Sequence, residues 1–104
     1  VKRLVLTEIA RADLASIRRY SMRTWGPDQT SKYMDALRDT MKSLVRGTVV
    51  TRSRSDLRPA IMMATSGRHS IFFEATESLI LVVRVLHDSM DYQRHLGTTD
   101  EGRG

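Results

Sequence analysis

The eight residues Leu79-Ile80-Leu81-Val82-Val83-Arg84-Val85-Leu86 constrain this chain more than any other segment. All but Arg84 are Leu, Ile or Val. The run is far too short to cross a membrane, which takes about 20 residues. Its β-branched content favours a strand. It also lacks the polar alternation of a half-exposed strand, so it predicts a central strand covered on both faces, or nearly so. The remaining sequence must therefore supply neighbouring strands and two covering layers.

The neighbours are legible. Val1 to Thr7 carries Leu4-Val5-Leu6, a short apolar strand with a polar stop. Ala60 to Ala64 is a second short apolar run, followed by the turn residues Thr65-Ser66-Gly67. His69 to Ala75 is rich in aromatic and apolar residues, and Thr76-Glu77-Ser78 turns the chain into the central run. Three strands joined by short turns predict an antiparallel meander.

The first covering layer is helical. From Glu8 to Trp25 the residues Ala10, Leu14, Ile17 and Trp25 recur at helical spacing, with Ser21 between them. Arg11, Arg18, Arg19 and Arg23 take the other face, and Thr7 can cap the first turn. Gly26-Pro27-Asp28 breaks this helix and starts another, since Gly suits the end of a helix and Pro its first turn. The second helix is expected from about Asp28 to Arg46, with Tyr33, Met34, Leu37, Met41, Leu44 and Val45 as its apolar stripe and Gly47 as its stop. The two make a helical hairpin. A short helical turn over Asp88 to Leu96 would dock Met90 and Leu96. The expected fold is α+β: an N-terminal strand, a two-helix antiparallel hairpin, a three-stranded antiparallel meander (βααβββ) and a short C-terminal helical turn.

A chain of 104 residues suits one domain. Residues 1–97 are read as that domain and 98–104 as a flexible polar tail. The chain has no cysteine, which excludes a disulfide scaffold, a thiolate nucleophile and a cysteine zinc site. No signal-peptide stretch follows Val1, so a cytoplasmic location without membrane contact is expected.

Charge narrows the partners. The net charge is +5, and fourteen of the seventeen basic residues are arginine. The planar arginine fork suits carboxylates and phosphates. Between Arg46 and His69 lie Arg46, Arg52, Arg54, Arg58 and Arg68 against Asp56 alone, a local +4 in what reads as a polar loop. Such a cluster fits an acidic partner or a phosphate backbone, or simply a solvated loop. Asp35 and Asp39 read as a solvated pair on an exposed helical face.

Chemistry-bearing motifs are sparse. His69, His87 and His95 show no metal-ligand spacing, so neither a metal nor a cofactor is expected. The glycines are isolated and form no phosphate loop. Arg84 stands inside the apolar strand and must reach a carboxylate or the sheet edge, with Asp91 and Glu74 as the sequence's nearest candidates.

Taken together, these motifs resemble the ParE branch of the RelE/ParE toxin superfamily of bacterial type II toxin–antitoxin modules. The resemblance rests on Ala10-Arg11-Ala12-Asp13-Leu14 with Ile17 and Tyr20, then Trp25-Gly26, then Tyr33 and Leu37. It continues through Leu57-Arg58-Pro59, Gly67-Arg68-His69-Ser70-Ile71-Phe72-Phe73 and Val83-Arg84-Val85-Leu86-His87-Asp88-Ser89-Met90-Asp91, and runs from about Leu4 to Leu96. The chain departs from the family's pattern at Ser70, where many relatives are basic, and in the apolar segment 60–64.

The resemblance implies a growth-arresting toxin that inhibits DNA gyrase and is neutralised by a ParD-like antitoxin, with operator DNA bound only through that antitoxin. It implies a target-binding surface of Arg84, His87, Met90, Asp91 and Arg94, within which Arg84 and Asp91 could serve to hold the surface in place. The antitoxin would contact Trp25, Tyr33, Arg52, Arg54, Arg58 and Arg68, along the Trp25 side of the hairpin. The alternative is a RelE-type ribosome-dependent mRNA endoribonuclease. Its catalytic set would be Arg68, Arg84, His87 and Tyr92.

Overall fold

The protein is seen here as a computed structural model, which describes residues 2–96. The elements follow in the order β1 (Arg3–Leu6), α1 (Glu8–Trp25), α2 (Pro27–Arg46), β2 (Arg52–Ser53), β3 (Met62–Ser66), β4 (His69–Ala75), β5 (Leu79–His87) and α3 (Tyr92–Leu96). They form the expected α+β fold. The strands make one sheet in the order β1-β5-β4-β3-β2. β1 runs parallel to β5, and all other neighbours are antiparallel. Two details differ from the sequence reading. The polar loop contributes β2, a two-residue edge strand too short to carry a hydrophobic pattern, and β3 extends through Thr65 and Ser66. The expected tail at 98–104 lies outside the described residues.

The apolar run of β5 is covered on both faces, as its composition demands. Successive residues of a strand point to opposite faces. Phe73, Ile80, Val82 and Val85 accordingly pack with Ala10, Ile17, Leu37, Met41 and Leu44 of the helical hairpin. Phe72 and Leu86 pack on the other side with Leu57, Ile61 and Leu96. The second layer is thus the 54–61 segment together with α3. Opposite the Phe72/Phe73 step of β4, β5 holds one extra residue, since Phe72 aligns with Arg84 and Phe73 with Val82. This bulge re-aims the side chains beyond it.

The hairpin is held by local chemistry. Gly26 has φ of 86°, a conformation that favours glycine. Its N–H donates to Met22 O at 3.1 Å, and its carbonyl accepts from both the N–H and the hydroxyl of Thr30. Trp25 does not join the core stripe that its spacing suggests. It is 53% exposed, and Ser21 is buried in its stead with a hydroxyl that finds no hydrogen-bond partner.

β1 pairs with β5 only as far as Leu6 and Val82. Beyond that point the edge of β5 is finished by helix α1. Thr7 N donates to Val82 O at 3.0 Å, and the Thr7 hydroxyl donates to Val83 O at 2.8 Å while accepting from Ala10 N as the helix cap. One and a half turns further on, Asp13 accepts Val85 N at 2.9 Å and both Nε (2.9 Å) and Nη2 (3.0 Å) of Arg84. Arg84 therefore pairs with Asp13, not with Asp91 or Glu74. Those two were nearer in sequence or register, but only α1 lies along this edge.

Replacing Asp13 with Ala strips a largely buried guanidinium and a strand N–H of their acceptor. Asp13→Ala should cost about 3 kcal/mol in denaturant unfolding. The pair Asp13→Ala with Arg84→Met should cost less than the sum of the single changes, since it leaves no unpaired charge.

Candidate functional site

The open ends of α1, α2 and β5 enclose a cleft of about 630 Å³. Its walls carry a succession of rings. Tyr20 meets Trp25 at 6.0 Å between centroids, Trp25 meets Tyr33 at 6.3 Å, Tyr33 meets His69 at 5.5 Å and His69 meets His87 at 5.1 Å. Ser16, Ile17, Ser21, Arg68, Ser89 and Met90 complete the lining. Tyr20 and Trp25 remain more than half exposed.

Tyr33 organises one wall. Its hydroxyl accepts Arg68 N at 3.0 Å and lies 2.6 Å from Nδ1 of His69. Its ring packs on Gly67, where a Cβ would stand only 2.7 Å from the ring. Gly67 also has φ of 58°, so the β3–β4 turn needs glycine twice over. The helix α2 thereby holds the turn in place. Beside the backbone bond from Asp88 N to Arg68 O at 2.8 Å, Arg68 donates through Nε and Nη2 to the two oxygens of Asp88 at 2.8 and 3.2 Å. Arg68 draws the Asp88 carboxyl below its ordinary pKa.

The two histidines form a T-shaped pair. Burial pushes His69 below its ordinary value of 6.5, with His87 pushing the same way, against Asp88 and Asp13. His69 is therefore neutral at pH 7. At His87 the backbone N–H of Ser89 donates into Nδ1 at 3.0 Å, and the Ser89 hydroxyl lies 2.8 Å from the same atom. A backbone donor makes Nδ1 an acceptor and leaves the ring proton on Nε2. Oδ1 of Asp88 lies 3.3 Å from the same Nδ1.

The residues singled out in the sequence separate into three places. His87 and Met90 from the target-binding set share the cleft with Trp25, Tyr33 and Arg68 from the antitoxin set. Met90 is 45% exposed at the cleft rather than docked in the core; only Leu96 docks there. Arg84 is committed to Asp13, and Asp91 accepts Arg94 N at 3.3 Å at the start of α3, leaving Arg94 exposed. Arg52, Arg54 and Arg58 lie at the other end of the sheet. Arg54 binds Asp56 and stands 5.7 Å over the Tyr92 ring, while Arg58 binds Glu74. With Arg68 on Asp88, three of the five arginines of the basic segment hold carboxylates. Spacing alone could not reveal this, because two of those acids come from β4 and the end of β5.

The ribonuclease set of Arg68, Arg84, His87 and Tyr92 is not assembled. Tyr92 packs in the second core against Phe72 and bonds to Ser70 at 3.0 Å, and Arg84 is held by Asp13. Ser70 is buried here as the partner of Tyr92, a place where a basic side chain would be costly. The sequence reading passed over Tyr20, Ser16 and His69 as site residues. Tyr20 and Ser16 lie one helical turn apart, five and nine residues before Trp25, and an aromatic residue so close to Trp25 on one helix was the available signal.

A family model described as the ParE toxin of the type II toxin–antitoxin system, parDE, matches residues 4–92. "Toxin ParE1" of Mycobacterium tuberculosis is 33% identical over 95 residues, covering 90% of this chain and 97% of that protein. "Toxin ParE" of Escherichia coli is 34% identical over 99 residues, covering 94% and 96%. A solved structure titled "Chromosomal ParDE TA system from P. aeruginosa" superposes with a TM-score of 0.69 at 22% identity, covering 83% of this chain and 95% of that one.

Two measurements check the cleft. In the unfolded chain His69 takes up a proton near 6.5; in the fold it does so only at lower pH. Folding thus releases a proton, and the contribution of His69 to stability falls as pH drops through 6.5 toward the folded value. His69→Gln should flatten the fall in unfolding free energy between neutral and mildly acidic pH. Gly67→Ala should cost about 2 kcal/mol in stability, because a left-handed backbone and the Tyr33 ring both oppose the new methyl.

Proposed function

The chain belongs to the ParE toxin family of type II toxin–antitoxin systems, and on that premise we propose that it arrests growth by inhibiting DNA gyrase and is silenced by a ParD-like antitoxin. The protein acts by binding, not by catalysis. Its target-facing residues are His87 and Met90 at the cleft and Arg94 on α3. Arg84 and Asp91 are positioning residues that fix the end of β5 and the start of α3.

One observation carries the reading. One cleft gathers His87 and Met90 of the target surface with Trp25, Tyr33 and Arg68 of the antitoxin surface. An antitoxin segment seated on the second group covers the first. Neutralisation then needs no change of shape in the toxin, only occupation of the cleft. The net charge of +5 favours an acidic antitoxin segment and speeds its capture. Arg52, Arg54 and Arg58 extend the same attraction to the far end of the sheet.

Purified gyrase assayed for supercoiling with this protein, freed of any partner, tests the reading. Inhibition with trapped cleaved DNA is expected. His87→Ala with Met90→Ala should raise the inhibitory concentration at least about tenfold, the order of one lost binding hot spot. Arg52→Ala should leave it within about twofold, as a rim charge does. Full supercoiling in the presence of the folded protein overturns the gyrase target.

A further inference from the structure

We infer that the cleft is a stacking site for an unpaired nucleobase of a single-stranded nucleic acid, whose phosphates lie on the arginine rim. The inference stands apart from the gyrase reading, since it concerns the toxin alone.

Two concave apolar sites among the described residues differ in their chemistry. One lies on the hairpin beside β1, with a volume of about 340 Å³ and walls of Leu4, Leu6, Leu14, Met34, Leu37 and Met41. Those aliphatic walls suit the apolar face of a peptide. The other is the cleft described above, and it is walled by rings. Five aromatic or imidazole rings follow one another with neighbouring centroids 5.1 to 6.3 Å apart. Tyr20 and Trp25 pack edge to face, so neither ring lies flat over the other, and both are more than half exposed. A half-exposed indole is a large apolar cost to leave in water, and a planar base is the partner that its face fits.

The rim supplies the complementary charge. Arg19 donates to the Ser16 hydroxyl at 3.2 Å, which places its guanidinium at the lip. Arg23 lies seven residues after Ser16 and therefore shares its side of α1. Arg68 faces them from the β3–β4 turn with its side chain 73% exposed. Asp88 offsets one of these three charges, and Asp13 is consumed by Arg84. The rim is thus net positive around an aromatic interior, the combination that tracks a phosphate backbone while stacking its bases. The Nε2–H of His87, which has no partner among the described residues, is a donor for a base edge.

Trp25 is the chain's only tryptophan, so its fluorescence reports this cleft. The protein alone is titrated at low salt with short oligothymidylate, with oligouridylate, with an abasic oligonucleotide of equal length and with polyglutamate. Quenching of Trp25 by oligothymidylate or oligouridylate, and not by the abasic strand, is expected; whichever binds more tightly names the sugar. Affinity should fall with salt with a log–log slope of about −1.4, for Arg19 and Arg23 at ~0.7 each, since Arg68 is already matched by Asp88. By anisotropy of a labelled strand, Trp25→Leu should weaken binding about tenfold, the order of one lost stacking contact. Arg23→Ala should make the salt slope shallower by about 0.7. Arg52→Ala, at the far end of the sheet, should change neither. Equal binding of the abasic strand, quenching by polyglutamate alone, or no quenching of the folded protein each overturns the inference. The assay holds no gyrase, so its failure leaves the supercoiling result untouched.

Discussion

The fold turns on how the edge of β5 is finished. A strand that is apolar on both faces still carries N–H and C=O groups along each edge, and each must find a partner. β4 serves one edge, broken at the Phe72/Phe73 bulge. On the other, β1 ends at Leu6, and three groups of β5 lie beyond its reach. Thr7 and Asp13 supply the missing partners from the first turns of α1. The helix is thus part of the hydrogen-bonding system of the sheet as well as its cover. That fixes the height and rotation of α1 over β5, and with them the positions of Ser16, Tyr20 and Trp25. The cleft has its shape because a carboxylate one and a half turns into a helix replaces a strand.

Much of this architecture is legible in the residues. Helix α1 is bounded by a capping threonine and a glycine at positive φ, and both boundaries emerge from the chain as expected. The length of β5 follows from its composition. β2 was illegible, since two exposed residues hold no pattern and owe their pairing to β3 alone. Trp25 was misplaced by its spacing, because periodicity marks a face without saying where the sheet beneath it stops. The partner of Arg84 was hidden for a related reason. Chemistry demanded an acid but could not choose among acids, and the choice was made by which helix runs along the free edge.

The site was less legible than the fold. His87 and Arg68 stand out as residue types, yet the ring succession that joins them to Tyr20 arises only when α1, α2, β4 and β5 meet. The basic segment 46–69 looked like the main charged surface. In three dimensions Arg54, Arg58 and Arg68 are each tied to a carboxylate, which lowers their value as free cations and raises their value as fasteners. Exposed pairs of this kind add little stability. The Arg68–Asp88 pair matters more for geometry, since with the backbone bond from Asp88 N to Arg68 O it joins the β3–β4 turn to the end of β5.

The parallel pairing of β1 with β5 has a consequence for how the protein is made. Thr7 and Val83, hydrogen-bonded in the fold, are 76 residues apart in sequence. During synthesis the hairpin of α1 and α2 leaves the ribosome with its apolar stripe and no sheet to cover. β1, likewise, has no strand to pair with until β5 follows. Closing so long a loop is slow and comes late. The cleft cannot exist before that closure, because His87 and Met90 are among the last described residues to emerge. A nascent or prematurely terminated chain therefore carries no assembled site, and the interval before closure is the time a cell has to place a neutralising partner beside it.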